Sequence, residues 1–346
     1  MKKLAFKITG IILAALFVAS CGNNSNRPLK KSITGRAGEM VVVISKDFWK
    51  AGPGDVIRNT LAQPQVSLPQ DEPLFNLVDV PHDAFNNIFR TTRNILVARI
   101  SSAIDTPAVI IKNDIGAAPQ ATVEIKARDA AEFEKLLTEN SNRIIAYFLN
   151  AEQKRLKSSY RKIHDKAVLN TLQKKFDVTM YCQPGFKIAN ETDDFIWYRY
   201  DTPNIIQGLF VYSLDYTSDS IFTPEYLIKK RDQMLKKYVH GELEGSYMTT
   251  EKRIEPIFNV KEHNGNYTTE MRGLWSFEND FMGGPYIMVA ELDASNQRVV
   301  IADGFVYAPG KDKRNLLRQV EAMIYSMEFA EQDKNDKINS EVKMGN

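Results

Sequence analysis

The sequence predicts an α+β fold in which antiparallel sheets are covered by amphipathic helices and one long helix connects two halves. Three patterns support this prediction. Residues 40–44 form a continuous, mostly β-branched apolar run that is typical of a buried strand. Residues 129–176 contain neither proline nor glycine and carry apolar residues at mostly three- and four-residue intervals. After residue 176, strand-like segments followed by an amphipathic helix occur twice.

The first half, residues 34–128, is predicted to mix strands and helices. Gly52-Pro53-Gly54-Asp55 is a strong turn, and we expect a short helix over residues 56–61 after it. A loop follows that is interrupted by prolines at positions 64, 69 and 73. The further predicted strands cover residues 75–80, 94–100, 108–112 and 122–127.

Residues 129–176 are interpreted as a long helical connector between the halves. Asp129 and Glu132 have the spacing of a capping box, in which the first side chain accepts a backbone N–H and the second reaches back towards the cap. A break in this helix is expected near residues 140–142.

The second half, residues 177–330, alternates predicted sheet and helix. Thr223-Pro224 places a capping residue before proline at the first helical position, and Gly241 is expected to end that helix. The pattern leaves open whether the strands form one sheet or a duplication, because the repeat lies in element order and not in residue identity. The predicted strands cover residues 178–182, 195–200, 205–214, 267–275, 286–292 and 298–307, and the last helix has an apolar stripe of Leu316, Leu317, Val320, Met323, Ile324 and Met327.

Residues 1–20 have the layout of a secretory signal peptide. Three lysines, at positions 2, 3 and 7, precede an apolar run over residues 8–18. This run is shorter than the ~20 apolar residues that a helix needs to cross a bilayer. Val18-Ala19-Ser20-Cys21 resembles the bacterial lipobox, so we expect cleavage after Ser20 and lipid attachment at Cys21. The alternative is a soluble secretory protein with a cysteine at its cleavage site.

The lipid on Cys21 would make the membrane a partner of this protein, because several acyl chains on one cysteine hold a soluble domain at a bilayer. A polar tether over residues 21–33 and a disordered polar tail over residues 331–346 are predicted from composition. With Cys21 acylated, Cys182 is the remaining thiol, so no intramolecular disulfide is expected. We interpret Cys182 as a half-buried strand residue and not as a nucleophile.

The charge balance argues against a nucleic-acid partner. The chain has 45 lysines and arginines and 43 acidic residues. Removal of residues 1–20 takes away three lysines and leaves 42 basic against 43 acidic residues, which is about neutral. Nucleic-acid-binding domains usually carry a basic excess.

No motif points to catalysis, a metal site or a cofactor. The four histidines are far apart, and neither a Gly-x-Ser-x-Gly segment nor a glycine-rich phosphate loop is present. Acid pairs such as Asp193-Asp194, or Glu278 with Asp280, could serve a glycosidase, but chance produces such pairs among 43 acidic residues. We therefore expect a protein without enzymatic activity. An envelope hydrolase without a recognisable motif remains an alternative.

The segment 275–286 is the strongest candidate ligand surface in the sequence. It combines aromatic and acidic residues, which are common in platforms for sugars and peptides, with a flexible turn. The alternative is that its aromatic residues are core positions on two strands joined by a turn at residues 283–285. The candidate residues are Trp275, Phe277, Asp280, Phe281 and Tyr286.

A basic strip on the predicted long helix is a second candidate surface. Between positions 154 and 175 the segment has eight basic residues and a single acid, Asp165. Such a strip on a lipid-tethered protein could contact anionic head groups or an acidic partner. The alternative is an ordinary solvated helix face. The strip begins with Lys154, Arg155, Lys157, Arg161 and Lys162.

Several segments carry a resemblance to a known group of proteins. They are the lipobox, Pro184-Gly185-Phe186, Arg272-Gly273-Leu274-Trp275, the segment 281–285 and the segment 303–309. Together they resemble an uncharacterised family of lipoproteins from anaerobic Gram-negative bacteria, a domain of unknown function. This resemblance covers nearly the whole mature chain and implies no activity. The element order over residues 176–329 is similar to that of Mog1- and PsbP-type domains, an analogy that does not transfer function.

These observations predict a lipoprotein of the bacterial envelope that acts through binding or assembly. A carbohydrate- or peptide-binding lipoprotein is the alternative. Gly22 follows the cysteine where enterobacteria use aspartate for retention, which favours the outer membrane. The absence of an acidic run behind Cys21 favours its periplasmic face. The expected partner is an envelope protein or a glycan.

Overall fold

The N-terminal half is built on a five-stranded mixed sheet, seen in a computed structural model that describes residues 30–330. The strand order is β2-β1-β3-β5-β4, and β4 alone runs antiparallel to its neighbour. The predicted α+β class is confirmed, but this sheet is mostly parallel because helical and loop crossovers connect its strands. The strands are β1 (Glu39–Val43), β2 (Asn76–Val80), β3 (Asn94–Ile100), β4 (Ala108–Asn113) and β5 (Ala121–Ala127).

Helices cover one face of this sheet. Met40, Leu96 and Val123 project from the strands into a core that also contains Phe133 and Phe148. The helices are α1 (Lys46–Trp49), α2 (Gly52–Leu61), α3 (Ala130–Glu139) and α4 (Ser141–Lys162), of which α1 is a single turn.

The predicted helical connector is divided into three helices. The break at Asn140, between α3 and α4, lies where the sequence predicts it. A second break after Ile163 was not predicted, and it separates α4 from α5 (Lys166–Phe176). Asp165 causes this break because its carboxylate accepts the N–H groups of Ala167 and Val168 and caps a new helix. The 22-residue α4 is the long helix of the fold.

The second half contains one antiparallel sheet of eight strands. Its order is β10-β12-β13-β14-β9-β8-β7, with β11 also paired to β12. Its strands are β7 (Lys187–Glu191), β8 (Phe195–Thr202), β9 (Ile205–Asp215), β10 (Tyr247–Thr250), β11 (Ile257–His263), β12 (Asn266–Glu278), β13 (Gly283–Asp293) and β14 (Arg298–Tyr307). A separate pair, β6 (Val178–Thr179) and β15 (Glu328–Phe329), joins the beginning and end of this half.

Helices cover the large antiparallel sheet, as predicted, and they cover both of its faces. Helix α6 (Pro224–Tyr238) packs on one face, while α5 and α7 (Arg314–Ile324) pack on the other. Helix α7 lies so close to β14 that a Cβ at Gly304 would come within 2.1 Å of a Val320 methyl group. Glycine is therefore required at position 304.

A buried ion pair holds α6 against the sheet. The Arg231 Nε donates to Asp303 Oδ2 over 2.7 Å, and the side chains are 0% and 1% exposed. The guanidinium also lies 3.7 Å from the ring centroid of Tyr286 and donates to Thr250 Oγ1. Both charged side chains are buried away from water. Each therefore needs the opposite charge of the other to offset the free-energy cost of its desolvation.

Replacement of one partner should destabilise the fold strongly. Asp303→Ala leaves a buried, unpaired guanidinium, so we expect the free energy of unfolding to fall by about 3–5 kcal/mol in urea denaturation. The control is Asp201→Ala, which removes an ion pair with Arg199 whose side chains are 52% and 36% exposed. That change should cost at most about 1 kcal/mol. Equal losses in the two variants would contradict a structural role for the buried pair.

Candidate functional site

The predicted lipid site, Cys21, and the polar tail over residues 331–346 lie outside the described residues. Among the helices of residues 30–330, none has the length and apolar character that a membrane span requires. The same part of the chain holds no group of three or more His, Cys, Asp or Glu residues suited to a metal ion. Cys182 is fully buried, and burial raises the pKa of its thiol.

The predicted ligand surface does not form as one surface. Trp275 and Tyr286 are 1% and 0% exposed and pack in the core beneath α6, whereas Phe281 is 92% exposed. Phe277 and Asp280 have intermediate exposure. Residues 283–285 belong to β13, and the turn lies just before them. Trp275, Phe277 and Tyr286 lie on one face of the paired strands β12 and β13, whereas Asp280 and Phe281 belong to the turn between them.

Part of this segment nevertheless lines a small aromatic cavity of about 170 Å³. The Nε1 of Trp197 is buried near it without a hydrogen-bond partner among the described residues. A carbohydrate- or peptide-binding role for this cavity stays a prediction. Its walls include Trp197, Trp275, Phe277, Met282 and Phe305, with Arg199, His240 and Glu242 also contributing.

The predicted basic strip is also divided. Lys154 and Lys162 are exposed, and Arg161 forms an ion pair with Glu328. Lys157 is partly buried, and burial lowers the pKa of its ammonium group.

Arg155 points into the protein and does not contribute to a surface strip. Its Nη1 donates to Glu152 Oε1 over 2.8 Å and to Asn94 Oδ1 over 3.0 Å. Its Nη2 donates to the carbonyl oxygen of Arg93. Arg155 therefore anchors α4 to the N-terminal sheet, and the prediction that it belongs to a basic surface is wrong.

The main site that sequence reasoning missed lies between the two halves. The proline-rich loop over residues 62–75, predicted only as a loop, packs against α7. Glu72 in this loop accepts the N–H groups of Lys313 and Arg314 over 2.7 and 2.8 Å, so a carboxylate from the first half caps a helix of the second. Glu72 is distant in sequence from Lys313 and Arg314, and no local sequence pattern predicts that they interact.

Beside this cap is a cavity of about 360 Å³, which we call the junction cavity. Residues 63–66 and Leu74 form one wall, α4 forms a second, and β12 with α7 forms a third. Its volume lies in the ordinary range for small-molecule sites. Its lining from α4 is Asn142, Ile145, Leu149, Glu152 and Gln153, and its lining from the second half is Arg272, Arg318 and Glu321.

Arg318 is the unusual group of the junction cavity. Its residue is 8% exposed, and its guanidinium donates to Gln65 Oε1 over 3.0 Å and to the Leu74 carbonyl oxygen over 2.9 Å. The third nitrogen, Nη1, is buried without a partner among the described residues. No ion pair to a carboxylate is formed by Arg318 in this part of the chain. Burial, together with the nearby cation Arg314, lowers the pKa of Arg318 to about 10.

The other charged residues that line the cavity form ion pairs. Arg272 contacts Glu321 over 2.7 Å and Glu270 over 2.8 Å, and Glu152 pairs with Arg93 and Arg155. Burial would raise the pKa of Glu270, but Arg272 and Lys261 outweigh it and lower that pKa to about 2. The wall of the cavity is therefore held by a buried, ionised carboxylate.

This ionised carboxylate should make stability depend on pH. A pKa below the ordinary value contributes stability above about pH 4.5, and that stability is lost as the pH falls towards 2. We expect Glu270→Gln to lower the free energy of unfolding by up to about 3 kcal/mol at pH 7. The difference from the unchanged protein should shrink between pH 5 and pH 2 in urea denaturation. Glu278→Gln, at an exposed position, is the control. A difference independent of pH would contradict the assignment.

Two family models match this chain. Residues 164–326 match a model described as Domain of unknown function (DUF4837), and residues 33–161 match Domain of unknown function (DUF8532). The boundary between the matches falls at the break between α4 and α5. The expectation of uncharacterised domains is thereby confirmed, while the lipoprotein and bacterial assignments stay predictions. No curated protein matches.

Solved structures show weak likenesses. The Ran-binding protein Mog1p of Saccharomyces cerevisiae is 10% identical, with a TM-score of 0.31, over 44% of this chain and 90% of its own. The human StarD13 lipid transfer and protein localization domain is also 10% identical, with a TM-score of 0.21, over 46% of this chain and 95% of its own. Scores this low carry no argument about shared architecture or function. The chain is thus similar to two domains of unknown function, which together span most of its described residues.

Proposed function

We propose that this protein is a lipid-anchored lipoprotein of the bacterial envelope that acts by binding and not by catalysis. Its ligand occupies the junction cavity and is a small amphipathic molecule with a carboxylate or similar anionic group. The observation that carries this proposal is the buried guanidinium of Arg318, which lines the cavity and forms no ion pair with a carboxylate of residues 30–330.

A guanidinium in this position has a specific chemical requirement. Burial of a charged group is costly unless the group is paired, and an unmade hydrogen bond adds to the cost. A carboxylate meets both needs, because it supplies negative charge and accepts two parallel N–H bonds from one guanidinium. The remaining charged residues of the cavity are already in ion pairs, so Arg318 is the one that favours an anion.

The rest of the lining favours an apolar body on the same ligand. Leu74, Ile145 and Leu149 bring aliphatic surface to the cavity, and Gln63 and Gln153 bring neutral polar groups. Cavities of this kind combine mostly apolar walls with a few polar groups that fix orientation. A short amphiphile with one anionic end matches this arrangement.

The anchor part of the proposal is supported by the sequence. The apolar run over residues 8–18 leads into Val18-Ala19-Ser20-Cys21, and Gly22 follows. We place the protein at the outer membrane, facing the periplasm, with an envelope protein or a glycan as a further partner.

Decanoate is a suitable probe of the junction cavity. The Cys21→Ser full chain, which lacks the lipid, should be stabilised in thermal unfolding by decanoate but not by decanol, because decanol offers no negative charge to Arg318. At a decanoate concentration one hundred times the Kd, the expected gain is about 2.7 kcal/mol. Arg318→Met should abolish the gain.

Two comparisons keep this experiment decisive. Arg253→Met removes a guanidinium that is 87% exposed and does not line the cavity, so the response to decanoate should persist. If decanoate and decanol stabilise the chain that retains Arg318 equally, the cavity does not recognise an anion. This comparison holds even if Arg318→Met fails to fold.

The anchor has a separate test. The full chain expressed in a Gram-negative host should sediment with membranes and release only with detergent, because its acyl chains lie in the bilayer. Cys21→Ser should move it to the soluble fraction, whereas Cys182→Ser should not. A Cys21→Ser chain that stays with the membranes would contradict lipid attachment at this residue.

A further inference from the structure

The N-terminal sheet has one face that helices do not cover. Helices α2, α3 and α4 pack on one side, while on the other Phe85 and Phe89 pack on only part of the strands, around Val41, Val43 and Ile95. Mostly parallel sheets are normally covered on both faces. The uncovered part is a depression of about 340 Å³, which we call the open face. Its lining includes Ile95, Val97, Arg99, Lys112, Thr122 and Glu124.

Two exposed apolar residues belong to the loops that form the rim of the open face, one through Phe85 and Arg90 and the other through Ile115 and Gln120. Ile88 is 76% exposed and Ile115 is 59% exposed. They belong to two loops that are held together, because the Gln120 amide donates to the carbonyl oxygens of Arg90 and Thr92 over 2.8 and 2.7 Å. The two isoleucines therefore belong to one fixed rim and not to independent loops.

The open face is also basic. Arg99 and Lys112 share one acid, Glu124, and Arg90 lies over the ring of Phe85 with no carboxylate within ion-pair distance among the described residues. Lys30 adds a fourth cation beside the loop, since its Nζ donates to the Asp114 carbonyl oxygen over 2.7 Å. Apolar side chains surrounded by cations are the usual composition of a surface that lies on anionic lipid.

The chain enters the fold at this rim. The Ala118 N–H donates to the Lys31 carbonyl oxygen, and Ser32 and Thr34 form bridges with Ala118 and Thr92. Cys21 lies nine residues before Lys30, and nine extended residues reach at most about 32 Å. A lipid on Cys21 would therefore keep the rim of the open face near the bilayer.

We propose that the open face docks on the membrane that holds the lipid anchor, with Ile88 and Ile115 in the interfacial region and Lys30, Arg90 and Lys112 against anionic head groups. This inference rests on the proposed anchor at Cys21. It fixes an orientation in which the N-terminal sheet faces the bilayer and the eight-stranded sheet lies farther away.

The test uses the lipidated full chain reconstituted in vesicles of phosphatidylcholine with or without phosphatidylglycerol. Ile115→Cys is labelled with an environment-sensitive fluorophore, which is selective because Cys182 is buried and Cys21 carries the lipid. The matched control is Ile254→Cys, at a residue 50% exposed in the second half. On vesicles with phosphatidylglycerol, aqueous iodide should quench the label at position 115 at least about threefold less than the label at 254, because interfacial side chains are shielded from water.

Each outcome decides one part of the proposal. Equal quenching at positions 115 and 254 on membrane-bound protein would overturn the docking and leave the anchor intact. A chain that does not attach to vesicles would overturn both. Shielding of position 115 in the Cys21→Ser chain, which has no lipid and stays in buffer without detergent or vesicles, would show that a second copy covers the open face. Arg90→Glu with Lys112→Glu should restore quenching at 115 without releasing the lipid-anchored chain.

Discussion

The contact on which the arrangement of the two halves depends is the carboxylate of Glu72 at the N-terminus of α7. The first turn of a helix presents N–H groups that have no partner within the helix, and here an acid from the other half satisfies two of them. Arg314 strengthens the same joint, because its Nη1 donates to the Pro73 carbonyl oxygen and to Asn76 Oδ1. The 62–75 loop is thereby fixed on α7, and the junction cavity acquires a rigid wall.

Helix α4 completes this arrangement from the other side. Its N-terminal part contributes Ile144 and Phe148 to the core of the first half, and Gln153 reaches Glu321 on α7 over 3.4 Å. One helix thus contacts both halves and closes the cavity between them. Because the cavity walls come from four separate segments, a ligand there would contact both halves and depend on their relative position.

The elements were largely predictable, whereas their contacts across the chain were not. Strands with strong apolar patterns, such as β1 and β14, and the Thr223-capped α6 follow from local residues. The second helix break was missed because the sequence places Ile163 in an apolar stripe, although its side chain is 68% exposed. Strand β11 was missed because its residues are mostly exposed. Arg318 and Glu72 became recognisable as site residues only in three dimensions, since their partners lie about 240 to 250 positions away.

The small β6–β15 pair has a consequence for biogenesis. It joins Val178 to Phe329, so the last strand of the second half must be available before its first strand has a partner. Contacts this distant in sequence form late and slow the closure of a domain. During synthesis, this half therefore stays incomplete until strand β15 has been made.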